Sequence, residues 1–222
     1  MAGWRRMIIT EQKPLDEIKE MLEGFTRIFI VGCGSCATKC ETGGEEQVKA
    51  MAETLRGWGK EVTGWAVPEE CCDYRFLRRD VVRPHKEALE SAEAILVMAC
   101  GSGAQAVAEV MGKPIVPALN TKFIGITERL RSFHERCRAC GDCLLFYTGG
   151  ICPIARCAKG LLNGPCGGQA NGKCEATQWQ TDCAWVLIYE RLKEQGRLDL
   201  FKRLRLPKDW SEWSRPRERV WR

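Results

Sequence analysis

Cys137, Cys140 and Cys143 follow one another at a C-x2-C-x2-C pitch. Three thiolates so spaced wrap three corners of a [4Fe–4S] cube, and a remote cysteine closes the fourth, often with a proline after it. Cys152-Pro153 has that neighbour, with eight residues between Cys143 and Cys152. Cys157, Cys166, Cys174 and Cys183 raise the total to eight, enough for two four-thiolate sites with none left over. Zinc competes for these ligands, because four-thiolate zinc sites also use C-x2-C pairs. The consecutive triplet favours two [4Fe–4S] clusters over zinc, and both over disulfides. Spacing alone does not divide the eight ligands between two clusters. Eight glycines share the same 47 residues. They let backbone N–H groups approach a cluster and tune its potential.

A second group of thiols begins in IFIVGCGSCATKC, residues 28–40. Gly32-x-Gly34-x-x-Ala37 after an apolar run satisfies a dinucleotide-binding fingerprint. Two features speak against that use. The carboxylate wanted about 20 residues further on, at the end of the second strand, has only Glu53 to offer, in mid-helix. Cys33 and Cys36 also stand where a pyrophosphate would be held. The other use is a metal site. The first strand ends at Cys33, the second shortly before Cys71 and Cys72, and the third at Cys100. Parallel strands present their carboxyl ends along one edge, where ligands bind. Cys33, Cys36, Cys40, Cys72 and Cys100 are therefore the candidates for zinc or a third [4Fe–4S] cluster. Cys72 is preferred because adjacent side chains do not readily serve one ion together. His85 and His134 lack ligand spacing, and no nucleophile triad or P-loop is present.

The elements that must carry these thiols alternate. Strands are expected at Ile28–Val31, in Glu61-VTGWAV-Pro68, in Ala94-ILVMA-Cys100 and in Lys113-PIVPALN. Helices are expected from Glu45, with Val48, Met51, Ala52 and Leu55 as the buried stripe, and from Gly101. Alternation of this kind gives right-handed crossovers and a parallel sheet. The expected fold is α/β: a small Rossmann-like domain over 1–126, and a Cys-rich irregular iron–sulfur domain over 127–190. A C-terminal helix and a basic Trp/Arg tail follow over 191–222. Apolar residues between Cys137 and Cys183 are too sparse for a core of their own, so metal–thiolate bonds are the expected source of order.

The chain has 222 residues, 14 cysteines and a formal charge of +5. Residues 190–222 hold 11 Lys and Arg against 6 Asp and Glu, so the surplus of five lies there and the remainder is neutral. No nucleic-acid motif accompanies it. Trp210, Trp213 and Trp221 among arginines suit a protein interface. The first 20 residues have no apolar run of a secretory leader, and nothing approaches a membrane span. Clustered cysteines are then expected in a reducing cytoplasm, as metal ligands.

CRACGDC, YTGGICPIARCAKGLLNGPCGG and GKCE, with the earlier VGCGSCAT and TGG, resemble one family. It is the small iron–sulfur (MetV-type) subunit of acetogen-type methylenetetrahydrofolate reductases, with their Cys-rich C-terminal domain. The resemblance implies a partner, a flavin-containing catalytic subunit that carries FMN and reduces 5,10-methylenetetrahydrofolate to 5-methyltetrahydrofolate. It implies that this chain relays electrons and makes no bonds itself. The donor would be ferredoxin, an NADH-oxidising module or a heterodisulfide-reductase-like assembly, in the methyl branch of a reductive acetyl-CoA pathway. The alternative is a structural zinc-binding subunit that orients the catalytic partner.

Overall fold

The computed structural model describes residues 7–129, 131–208 and 210. Trp213 and Trp221 lie outside them. The chain divides into two compact units: residues 1–123 with 127–133, and residues 124–126 with 134–222.

In the first unit, β1 (Ile8–Gln12) and α1 (Leu15–Met21) precede β2 (Arg27–Val31). A four-residue turn of helix, α2 (Cys36–Lys39), leads to α3 (Glu45–Gly57) and β3 (Glu61–Ala66). A short α4 (Tyr74–Phe76) runs into a π-helical stretch over Leu77–Val82, then α5 (Lys86–Ser91), β4 (Ala94–Val97), α6 (Gly101–Met111) and β5 (Ile115–Pro117). Four strands form one parallel sheet in the order β3-β2-β4-β5. The fold is α/β, and the sheet holds the four strands anticipated from the sequence.

The apolar run of β2 shows why this sheet needs cover on both faces. Phe29 and Val31 join Ile95 and Val97 against Leu77, Val81, Leu89 and Val107. Ile28 and Ile30 join Ala94, Leu96 and Met98 against α1 and α3, through Ile18, Val48, Met51, Ala52 and Leu55. Successive strand residues point to opposite faces, so a continuous apolar strand means burial on both sides. All four side chains of Ile28–Val31 are fully buried.

Five strands were not anticipated, three of them in a second sheet of the chain and two in a small hairpin. β1 belongs to this second sheet, of order β1-β6-β7, with β6 (Leu119–Arg129) and β7 (Ser132–Cys137). The boundary between the units falls within β6 and β7.

In the second unit, Cys137 ends β7, and a 3-10 turn over Leu145–Thr148 leads to α7 (Pro153–Arg156). A small hairpin, β8 (Gln169–Ala170) and β9 (Lys173–Cys174), precedes α8 (Ala184–Glu194) and α9 (Leu198–Phe201). Ile151, Cys183, Trp185, Ile188, Leu192 and Leu200 make a compact apolar cluster. The Cys-rich stretch thus borrows its core from the helices that follow it. Among the described residues no helix is long and apolar enough to cross a membrane.

Candidate functional site

The carboxyl edge of the parallel sheet gathers the first set of thiols. Gly32 N–H donates to Ala66 O (2.8 Å), Gly34 N–H to Pro68 O (2.9 Å) and Met98 N–H to Val31 O (2.8 Å). Cys33 N–H donates to Gly43 O (2.8 Å). The loops after β2, β3 and β4 are therefore stitched to one another beyond the strand ends. β2 and β4 are neighbours whose onward connections leave toward opposite sides of the sheet, the place where open α/β sheets bind ligands.

Cys33 is buried, and Cys71 is fully buried with Sγ 2.7 Å from Gly32 O. A hydrogen bond between the Cys71 and Cys33 side chains holds the Cys33 thiol down to about 6. The same bond, reinforced by burial, pushes Cys71 well above the usual thiol range. Burial, followed by the charges of Cys33 and Cys100, raises Cys36. Desolvation, followed by the charges of Cys100, Glu70 and Cys33, raises Cys72, whose side chain reaches the surface. Cys33, Cys36, Cys71, Cys72 and Cys100 thus share one neighbourhood. Cys40 stands one helical turn beyond Cys36, its Sγ–H donating to Ile8 O at 3.6 Å.

Cys71 is the residue that sequence reasoning passed over in favour of Cys72. Gly103 makes its place: a Cβ there would stand 2.8 Å from the Cys71 Cβ. The structure also weakens the dinucleotide alternative. That fingerprint opens a long helix at its glycines, whereas α2 has four residues and the long α3 starts only after Gly43 and Gly44.

These shifts fix a pH dependence for the metal-free, reduced chain. Cys33 has a folded value of about 6 against an ordinary 9.0. Its contribution to stability is complete above pH 9 and is lost as pH falls through 6. Cys71 is raised, so its contribution is complete below 9 and lost as pH rises beyond it. Melting temperature should climb from pH 6 to 9 and fall above that, and Cys33→Ser should flatten the climb. A wild-type profile flat from pH 6 to 9 would refute the pairing.

In the second unit, β7 delivers Cys137 into a loop with two left-handed residues, Ala139 (φ 51°) and Gly141 (φ 86°). This winding turns Ala139 N–H onto Cys137 Sγ at 3.3 Å, while Cys140 Sγ–H donates to Asp142 O at 3.6 Å. Cys152 precedes Pro153, the first residue of α7. Cys137, Cys140, Cys143 and Cys152 line a single cavity of about 240 Å3, with Arg136 and Arg138 at its wall.

The other four thiols flank α7 and α8 or lie on β9 and the loop before β8. Cys157 closes α7, Cys174 ends β9, and Cys183 is the residue before α8. Cys183 N–H donates to Gly172 O (2.7 Å) and Cys174 N–H to Thr181 O (2.9 Å). Cys157 and Cys174 pack against the apolar cluster that contains Cys183. Cys166 is exposed and accepts from Gly168 N–H at 3.4 Å and from Lys159 Nζ at 3.7 Å. All described cysteines are free thiols. Among the described residues no group of three or more His, Cys, Asp or Glu side chains is arranged to hold a metal ion.

No curated protein and no solved structure matches this chain. Residues 116–211 match the family described as methylene-tetrahydrofolate reductase C terminal. The match takes in all eight cysteines from Cys137 to Cys183 and none of the six before them. Over this segment, a little under half of its length, the chain is similar to the C-terminal region of methylenetetrahydrofolate reductases.

Proposed function

We propose that the chain is the iron–sulfur electron-transfer subunit of a methylenetetrahydrofolate reductase complex. It relays electrons to the FMN of a separate catalytic subunit that reduces 5,10-methylenetetrahydrofolate to 5-methyltetrahydrofolate. The observation that carries the reading is the four-thiol cavity inside the segment that matches the reductase C terminus.

The donor set fits a cube. Each of four irons takes one outside thiolate, and four cysteines meet that need from a single cavity. A lone zinc would draw its sulfurs to about 2.3 Å of one point, whereas a cavity of about 240 Å3 suits a larger group. Cys137, Cys140, Cys143 and Cys152 would hold the first cluster, and Cys157, Cys166, Cys174 and Cys183 the second. Bound in this way, such clusters take up and release single electrons. The chain's own residues then hold, shield and tune. Ala139 N–H and Gly168 N–H donate to ligand sulfurs, and Arg136 and Arg138 offset the charge of four thiolates. The thiols of the first unit, Cys33, Cys36, Cys71, Cys72 and Cys100 with Cys40 nearby, form the third candidate site, for zinc or a further cluster. Upstream donors of the proposed relay are ferredoxin, an NADH module or a heterodisulfide-reductase-like assembly, in a reducing cytoplasm.

Full-length chain purified without oxygen should carry about eight irons for two cubes, or about twelve with a third. Dithionite should elicit the paramagnetic signal of reduced clusters. Stoichiometric zinc with no iron would instead establish the structural zinc subunit, because Zn²⁺ has no redox chemistry.

A further inference from the structure

Residues 202–208, after α9, contain neither helix nor strand, yet their course is fixed. Arg205 N–H donates to Asn163 Oδ1 and Asn163 Nδ2 donates to Arg205 O, both at 2.9 Å. The Arg205 guanidinium donates to Tyr147 O (3.1 Å) and lies 4.6 Å from the Tyr147 ring centre. This strap delivers Lys208, whose side chain is 1% exposed. A lysine is almost never so buried without a partner. The Lys208 ammonium donates to Asp142 O, stands 3.2 Å from Asp142 Oδ2, and lies 5.9 Å from the Trp210 ring centre.

Asp142 sits between two of the proposed ligands and lines their cavity. Its carbonyl oxygen also accepts from Cys140 Sγ. In the free-thiol state a buried ammonium and Cys140 Sγ therefore meet on one oxygen atom, which puts the lysine beside the loop of the proposed ligands. We propose that Lys208, held by the strap and by Asp142, sets the reduction potential of the cluster bound by Cys137, Cys140, Cys143 and Cys152. The inference rests on the iron–sulfur reading given above.

The physics is a matter of sign and screening. Reduction adds one electron from a one-electron donor to a group already negative, and a nearby fixed cation favours that form. Asp142 carries the opposite charge and opposes it. The Asp142 side chain is 49% exposed and screened by water, whereas the lysine is shut away from it. The lysine should dominate.

The test is a dithionite titration of the full chain, followed by paramagnetic resonance, with iron counted in every variant. Lys208→Met should move the midpoint of one cluster negative by about tenfold in the reduction equilibrium, ~59 mV for one electron. Lys208→Arg should keep the wild-type value. Asp142→Asn should move the same midpoint positive by about threefold, and the other cluster should stay put in all three. A merely structural clamp would give losses of iron, or shifts of one sign in both Lys208→Met and Asp142→Asn. Either pattern of same-sign shifts, or an unmoved midpoint in Lys208→Met at full iron, overturns the inference and leaves the iron–sulfur reading intact. Should Lys208→Met shed its cluster, Asp142→Asn decides: a positive shift supports the inference and none overturns it. A wild-type chain holding zinc in place of iron overturns the reading and the inference together.

Discussion

Replacing Cys143 by alanine is expected to remove about four irons from a chain that holds eight, and to stop electron delivery to the flavin partner. Cys143 is exposed and belongs to none of the apolar clusters. Its loss should cost a ligand without opening a cavity in a core, so the metal-free protein should melt at the wild-type temperature. Cys183 makes the contrasting case. It is buried beside Trp185 and Ile188, so Cys183→Ala should lower both iron content and the stability of the second unit. For Cys143→Ala, reduction of methylenetetrahydrofolate by the assembled complex with its donor should fall by more than the ~10–100-fold that follows loss of a residue behind a ligand. Reduction of the partner's flavin directly by dithionite should persist. A Cys143→Ala chain that keeps eight irons would show that the four-thiol cavity is not where a cluster sits.

The reach of the sequence differs between the two units for a physical reason. β2, β4, α3 and α6 are legible because burial imposes period: Ile28–Val31 face both cores, and Val48, Met51, Ala52 and Leu55 fall on one helical stripe. Convergence of Cys33, Cys71 and Cys100 is legible for the same reason, since parallel strands must end on one edge. The choice within the pair Cys71-Cys72 is not. It depends on the path of a loop tied down by Pro68 O and on the space left by Gly103. The strands β6 and β7 escape notice because they carry little burial to impose a pattern. Ile124 and Ile126 remain exposed, and β7 has no buried residue.

Lys208 is harder still to read. It sits in a basic stretch that looks solvated, and its partner Asp142 is 66 residues away. The strap's bonds to Asn163 and Tyr147 help bring the two together. Its burial runs against the composition around it, so local rules miss it. The eight cysteines, by contrast, announce themselves through type and pitch, but the proposal that Cys137, Cys140, Cys143 and Cys152 form one group needed the cavity.

Gly43→Ala should be among the most damaging single changes in the first unit, although it adds only one methyl group. Its Cβ would lie 2.0 Å from Met98 O and 2.9 Å from the Ala37 Cβ. The first obstacle is backbone of the segment that leads from β4 to Cys100, so no side-chain rotation relieves it. Gly43 O is also the acceptor for Cys33 N–H. Forcing the two segments apart must therefore separate Cys33 from Cys100 as well as strain the sheet edge. Overpacking of this kind costs about 3 kcal/mol, which for a unit of this size lowers the melting temperature by roughly 10 °C. Gly57→Ala supplies the opposite sign. Gly57 is the last residue of α3, and a Cβ there meets nothing within 4 Å. Alanine in place of a helical glycine should stabilise by about 0.5–1 kcal/mol. Thermal melts of the two variants side by side check the argument, with metal content of the first unit measured in each. Equal stability of Gly43→Ala and wild type would mean that the loops beyond β2 and β4 are not in contact. The shared neighbourhood of Cys33 and Cys100 would then lose its support.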